Sequence, residues 1–445
     1  MKNNVGLKKT VLLAFLMIVR ISASLEAETY DLAAYLRLVG QNNPDLALAY
    51  RELLLSREQV NQARAPLLPG IGAEGSYTRN LRDVPQPTPV ASLPGGGLLI
   101  YQDVDSNYDN EISVGVGVTQ KLFDPAAWMQ YRQAKKGLSI HEQSFESARQ
   151  QIMCAAKKLY AQTQLAVSVL TIREASEEAS RALYQSVERK YRAGAAVELD
   201  LLMAEVDWKQ KAIAVTEARK NAETAMLAFR NFAGIPLPEA VILTENNGPL
   251  PTLPGSPALD SALAGRADYR ALLLSQELAA LEKKAAASSF LPSLSAKFSF
   301  AWGGMGNDSL SGDYDYTAAQ LTLGLSVPIF AGGYRLSRIR AARIEQEKAS
   351  LALAKKQSGI ESELIAIRLR LVEANERIEA ARLIETTALR ALSLSQTAFT
   401  NGLVTQLSVT EAVNLLDEAS LGLQSAVCEY LLAYYDWETA SGNID

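Results

Sequence analysis

The 445-residue sequence predicts a mainly α fold with a small portion of membrane-type β, built as a duplicated strand pair plus long coiled-coil helical hairpin. Three observations carry that prediction. The chain matches itself along most of its length. Short segments of strict apolar–polar alternation come in pairs, and each pair is followed by a long, almost proline-free stretch with a heptad pattern. The composition agrees: 48% of residues are hydrophobic but only 7% aromatic and 21% charged, as expected of long helices rather than a compact aromatic core.

The chain opens with a predicted signal peptide at 1–27. Lys2, Lys8 and Lys9 precede an apolar run from Val11 to Val19, and small residues suited to cleavage lie within 23–27. The apolar run is too short to span a bilayer. No later segment reads as a transmembrane helix, and β-barrels carry a much weaker sequence signal. The net charge of −5, with no basic stripe, argues against nucleic acid as a partner.

The self-match sets the domain plan. Asn43-Pro44-Asp45 aligns with Arg266-Ala267-Asp268, and Leu68-Pro69 with Leu291-Pro292. Phe123-Asp124-Pro125 aligns with Phe330-Ala331-Gly332, Tyr191-Arg192-Ala193-Gly194 with Phe399-Thr400-Asn401-Gly402, and Phe232-Ala233-Gly234 with Ala440-Ser441-Gly442. The first repeat is therefore 28–234 and the second 259–442. Between them 235–258, rich in proline, reads as a linker over the outside of the molecule.

Within the first repeat, strands are expected near 70–79 and 110–122. Ile112, Val114, Val116 and Val118 alternate with Ser113, Gly115, Gly117 and Thr119. The second repeat has strands near 293–302 and 316–330, with Leu294, Ala296, Phe298, Phe300 and Trp302 on one face, and Leu321, Leu323, Leu325 and Val327 in the partner strand. Such alternation usually marks a half-buried strand of a soluble sheet. Here a small, mostly uncharged second face, and the lack of obvious cover for the apolar one, favour a membrane barrel. Four strands cannot close a barrel, whereas three chains supply twelve. Residues 80–109, with Pro85, Pro87, Pro89 and Gly95-Gly96-Gly97, read as an irregular outer excursion, and 303–315 as a short loop.

The hairpins are expected at 126–234, with its tip at Gly194, and 334–440, with its tip at Gly402. Each outgoing arm would reach roughly 100 Å at ~1.5 Å per residue. The second runs Ile360, Leu364, Ile367, Leu371, Ala374, Ile378, Ala381, Glu385, Ala388, Leu392, Ser395 and Phe399, in alternating steps of four and three. Its returning arm carries Val409, Val413, Leu416, Ser420, Leu423, Val427, Tyr430, Tyr434 and Trp437. Gly194 and Gly402 suit helix C-caps. Asp200 and Ser408 are N-cap or polar rim candidates, and Glu411 is either a solvated helix-face residue or a pore carboxylate.

These features together resemble the TolC-like outer-membrane efflux proteins, the outer-membrane factors of tripartite export systems. The resemblance rests on the Asn43-Pro44-Asp45 start, on Val327-Pro328-Ile329-Phe330-Ala331-Gly332-Gly333, and on the tips Tyr191–Gly194 and Asn401-Gly402-Leu403-Val404. It implies a homotrimer with a 12-stranded β-barrel among outer-membrane lipid and a 12-helix periplasmic α-barrel. The function it implies is that of a passive exit duct for efflux or type I secretion. A periplasmic adaptor (membrane fusion) protein, itself coupled to an inner-membrane pump of RND, ABC or MFS type, would open it. The matching gate positions are Glu411, Ser408 and Asp200. The docking tips would be Arg192, Ala193, Gly194, Asn401, Gly402 and Leu403. Ser408 stands where the family carries an acid and Val404 where a latching arginine can occur, which points to one ring of three Glu411 side chains.

Catalysis finds no support in the residues. His141 is the only histidine, so Ser-His-Asp chemistry and multi-histidine metal sites are nearly excluded, and no cofactor or metal is expected. Cys154 and Cys428 would lie roughly 20 Å apart in height if the tips are level, which predicts buried free thiols. The competing function is a periplasmic coiled-coil structural protein that forms no channel.

Overall fold

A computed structural model describes residues 28–81, 85–92, 99–105, 108–234, 241–243, 249–255, 258–307 and 314–443. The expected signal peptide lies outside them. The elements are β1 (Glu28–Tyr30), α1 (Leu32–Asn42), α2 (Pro44–Arg64), β2 (Gly70–Arg79), β3 (Pro85–Ser92), β4 (Leu99–Asp105), β5 (Asn110–Phe123), α3 (Pro125–Arg192) and α4 (Glu198–Ala233). The second half continues with β6 (Val241–Leu243), α5 (Leu259–Gly265), α6 (Ala267–Ser288), β7 (Ser293–Gly306), β8 (Tyr314–Ser326), α7 (Tyr334–Thr400) and α8 (Gln406–Ser441). The long helices repeat almost to the residue: 68 then 36 in the first half, 67 then 36 in the second.

One unit comprises residues 52–142 and 271–354 and centres on an antiparallel sheet in the order β2-β5-β7-β8. Cross-strand partners share a face, so the register sorts the side chains. Ile71 pairs Val118, which pairs Phe298, which pairs Leu321, and all four lie on one face. The opposite face carries Gly72, Gly117, Ser299 and Gln320 in one row, with Glu74 and Lys297 in the rows beside it. The apolar face is bare in the single chain: Leu321, Leu323 and Leu325 are 66–71% exposed and Ile71 is 81% exposed. β2 and β8 are the sheet's two edges.

Residues 80–109 depart from expectation. β3 and β4 pair antiparallel from Pro85↔Asp105 to Ser92↔Leu99, with an irregularity between Pro89 and Ala91. The prolines sit in a two-stranded ribbon whose strands each keep an edge, where a missing N–H costs no ladder bond. They therefore permit a hairpin where the proline content predicts irregular chain. The strands β7 and β8 also extend into the stretch read as a loop, ending at Gly306 and starting at Tyr314.

The other unit takes residues up to Arg51, Gln143–Arg270 and those from Lys355 onward. All twelve seam positions of α7 from Ile360 to Phe399 are buried or half-buried, and Leu371 is fully covered. Those from Ile360 to Ile378 pack on Ala426, Tyr430, Ala433 and Trp437 of α8. The buried alanines of α8 recur every seven residues, at Ala412, Ala419, Ala426, Ala433 and Ala440. Beside that row, Cys428, Leu431 and Tyr435 meet Ala161 of α3. In this unit α8 is thus covered by α7 and by the first hairpin.

The two repeats close their returning helices in the same way. Gly234 (φ +71°) and Gly442 (φ +71°) end α4 and α8 in the left-handed region. Asn43 Nδ2 donates to Phe232 O at 2.8 Å while its Oδ1 accepts from Leu46 N at 2.9 Å, which caps α2. At the matching place Arg266 Nη1 approaches Ala440 O at 3.5 Å. The linker is more than a tether: β6 pairs parallel with β1, and the Tyr430 hydroxyl donates to Pro251 O at 2.6 Å.

Arg266 also builds a network that its counterpart Asn43 cannot. It grips Asp268 through Nε at 3.0 Å and Nη2 at 2.8 Å, and reaches Glu363 at 2.7 Å, while Lys356 meets Asp268 at 2.7 Å. Burial opposes ionisation of Asp268, but the hydrogen bonds and charges of Arg266 and Lys356 outweigh it and hold the carboxyl well below its ordinary value. Its stabilisation is complete above the unfolded value and is lost as pH falls below about 4 toward the folded one. Asp268→Asn is expected to cost roughly 2 kcal/mol at neutral pH. The deficit should shrink as pH falls below about 4, as thermal unfolding of wild type and variant across pH would reveal; a constant deficit would refute the linkage.

Candidate functional site: the hairpin tips

The two tips are built alike. After α3, Ala195 N donates to Lys190 O at 2.8 Å and Gly194 N to Tyr191 O at 2.9 Å. After α7, Leu403 N donates to Ala398 O at 2.9 Å and Gly402 N to Phe399 O at 3.1 Å. Both are paired-bond C-caps with the glycine at positive φ. Arg192, Ala193, Gly194, Asn401, Gly402 and Leu403 are all exposed, Leu403 to 77%. Arg192 Nη2 rests on Glu188 Oε1 at 2.6 Å, one turn back.

Asp200 and Ser408 are not N-caps. Those positions belong to Val197 and Thr405, and neither makes a side-chain capping bond. The turns after the glycines are short, so each helix starts early and leaves Asp200 and Ser408 at its third residue. Asp200, with Glu198, instead places negative charge on the exposed N–H groups of the first turn. Ser408 Oγ lies 3.5 Å from Thr405 Oγ1. Glu411 is exposed while Gln406, Val409, Ala412 and Val413 are buried, so it points away from the packed face of α8. Leu407, Asn414 and Glu418 share its exposed stripe.

The sequence reading missed what joins the tips. Lys190 Nζ sits 3.6 Å over the Phe399 ring and donates to Phe399 O at 3.4 Å, which ties the first tip to the second. Leu183, Val187, Ala204 and Val409 form a small apolar cluster beneath, with Leu201, Leu392 and Phe399 against it. Between α4 and α8, Leu202, Met203, Val206, Gln406, Leu407 and Thr410 line an open groove whose surface is mainly apolar.

Farther along the helices lies a layer of charge. Asp417 Oδ2 accepts from Arg173 Nη1 of α3 at 2.5 Å and from Lys211 Nζ of α4 at 2.9 Å, with the aspartate side chain only 5% exposed. Ser420 Oγ donates to Glu385 Oε1 at 2.7 Å, so these two of the second seam's three polar positions satisfy each other. Nearby, Trp208 stacks on Tyr184 and donates to Glu177 at 2.5 Å.

Both thiols are free, Cys428 buried and Cys154 half-buried. They lie closer in height than the level-tip estimate: Cys154 Sγ reaches Tyr435 O at 3.5 Å, two turns from Cys428 in the same apolar cluster. Burial pushes the Cys428 thiol up to about 11, which keeps it protonated and inert. Among the described residues no His/Cys/Asp/Glu group could hold a metal ion, and no helix is long and apolar enough to cross a membrane.

With this geometry in view, comparison with known proteins is specific. The family model described as outer membrane efflux protein matches residues 36–234 and 258–440. The chain is 24% identical over 426 residues to the outer membrane protein TolC of Escherichia coli, covering 91% of this chain and 80% of that protein. It is 25% identical over 410 residues to the alkaline protease secretion protein AprF of Pseudomonas aeruginosa, covering 90% and 80%. Among solved structures, the CmeC outer membrane channel of Campylobacter jejuni aligns with a TM-score of 0.75 at 18% identity, over 92% of this chain and 85% of that one. The open state of the MtrE outer membrane channel of Neisseria gonorrhoeae gives 0.74 at 18%, over 92% and 88%.

Proposed function

The chain belongs to the outer membrane efflux protein family, and from that premise we propose that it is the passive exit duct of a tripartite efflux or type I secretion system. It lies in the outer membrane with its helical tunnel in the periplasm. The alternative of a periplasmic coiled-coil structural protein gives way to this reading, since the family's members are transport channels. We take the chain to be a signal peptide, 1–27, then two repeats, 28–234 and 259–442, joined by 235–258.

One observation carries the mechanism: a four-stranded sheet with a bare apolar face and two open edges. Pairing β2 of one chain with β8 of the next, three times, closes twelve strands and leaves no edge. Ile71, Val118, Phe298 and Leu321 then face lipid, and the small polar face lines the bore. The homotrimer follows from that closure, and it also gives partners to exposed apolar groups of the helices such as Leu202, Ile213, Leu369 and Leu383. Extraction as a trimer only with detergent, and conductance in planar bilayers, test the reading. A soluble monomer after signal removal would overturn it.

The tips form the periplasmic end. Arg192, Ala193, Gly194, Asn401, Gly402 and Leu403, with the apolar groove beside Leu202 and Leu407, offer an adaptor's hairpin both exposed backbone and apolar cover. The adaptor couples the duct to an RND, ABC or MFS pump, which supplies the energy. Glu411, exposed on α8, contributes one carboxylate per protomer to a ring at the threefold axis, with Ser408 and Asp200 on its rim. Three converging carboxylates favour cations by on the order of 1 kcal/mol, roughly fivefold. Glu411→Ala is therefore expected to lower cation preference by about that factor in single-channel recordings. Unchanged conductance and selectivity would remove Glu411 from the gate.

A further inference from the structure

We propose that the Arg173–Asp417–Lys211 layer is the pivot of α8, pinning it to the first hairpin so that opening is confined to the segment from Thr405 to Asp417. The inference rests on the reading of the tips as the closing end of the duct. Four observations carry it.

First, Asp417 is the most buried carboxylate among the described ion pairs, and its Oδ2 joins two helices of the other repeat at once. An ion pair so buried has a fixed geometry, whereas apolar contacts are non-directional and let helices slide. Second, further buried polar groups lie within a few turns of these residues along α3, α7 and α8. Glu385 bonds Ser420 across α7 and α8. The hydroxyls of Ser176 and Ser180 and the second oxygen of Asp417 are buried without a partner among the described residues. Third, the layer separates two apolar clusters. On the tip side lie Leu183, Val187, Ala204 and Val409, and on the other side Ala426, Tyr430, Ala433 and Trp437. Fourth, the surroundings of α8 change across it. Toward the tip, α8 enters the small apolar cluster through Val409 and borders the open groove at Leu202, Met203, Val206 and Leu407. Beyond Ala419 it is covered on two sides, by α7 and by α3.

A rod held at one point moves in proportion to distance from it. Glu411 lies ~9 Å from the pivot and Thr405 ~18 Å at 1.5 Å per residue, so a tilt of about 20° into the groove displaces the helix by ~3 Å at Glu411 and ~6 Å at Thr405. Everything beyond Asp417 stays in register.

The test uses the full-length protein in planar bilayers without adaptor. Asp417→Asn keeps the shape and removes the charge, and Lys211→Met removes one of the two ties. Expected is a several-fold rise in mean conductance for Asp417→Asn and a smaller rise of the same sign for Lys211→Met. If Asp417→Asn fails to insert, the Lys211→Met result decides. A lowered thermal stability with wild-type conductance would make the layer merely structural and sink the pivot. Should wild type conduct and respond to Glu411→Ala while both layer variants behave as wild type, the pivot falls alone. A wild type that conducts nothing would instead overturn the channel reading.

Discussion

Gly234→Ala is expected to destroy the fold of the helical unit, whereas Gly194→Ala leaves it standing. Both glycines have nearly the same backbone, φ +71° and +73°, so both variants carry the left-handed strain of a residue with a side chain, about 1–2 kcal/mol. Their surroundings differ. A Cβ on Gly194 meets nothing within 4 Å, but on Gly234 it would sit 2.2 Å from Asn42 O and 3.0 Å from Pro44 Cδ. Neither obstacle is the end of a flexible side chain, so α4 must back away from the junction of α1 and α2. That motion breaks the Asn43–Phe232 bond and unseats Tyr35, which stacks on Phe229 at 3.9 Å and donates to its carbonyl at 3.1 Å. The sum exceeds about 4 kcal/mol, enough to abolish assembly. Heat resistance of the detergent-extracted protein measures both variants. Equal losses would mean that the close approach is unimportant.

Leu371→Ala should cost about 3–4 kcal/mol without altering conductance. Leu371 is fully covered in the middle of the α7–α8 seam, between Ile367 and Ala374. Long helices held from both ends relax little into a void, which puts the cost in the upper part of the range for leucine truncation. The loss is read as a fall in the midpoint of thermal unfolding. Leu369→Ala, two residues away and 66% exposed in the single chain, reports on the contact between protomers proposed above and not on the seam. A loss for Leu371→Ala below about 1 kcal/mol would argue against a packed seam.

The α7 seam was legible in sequence because Ile and Leu recur at heptad spacing against a polar background, and the strands because their alternation is strict. The buried seam of the first hairpin was not. Its buried side chains include Ala156, Ala161, Thr163, Ser176 and Ser180, and small or hydroxylated residues give no apolar periodicity to detect. Asp417 was missed for a related reason: beside Glu418 in a helix rich in leucine and alanine, it reads as part of the wetted face. Its cations come from two other helices more than two hundred residues away, and only the three-dimensional fold brings them together. The third-position places of Asp200 and Ser408 depended on how tightly each tip turns, which spacing alone does not encode.

The open sheet has a consequence for biogenesis. β2 and β8 each present a row of unpaired N–H and C=O groups, and every such group left bare in hydrocarbon costs several kcal/mol. In the trimeric barrel proposed above, a single subunit therefore has no resting place within the bilayer, and insertion and association become one event. Yield should rise steeply with subunit concentration in the periplasm. A subunit arriving alone would have to be shielded, degraded or lost to edge-to-edge aggregation.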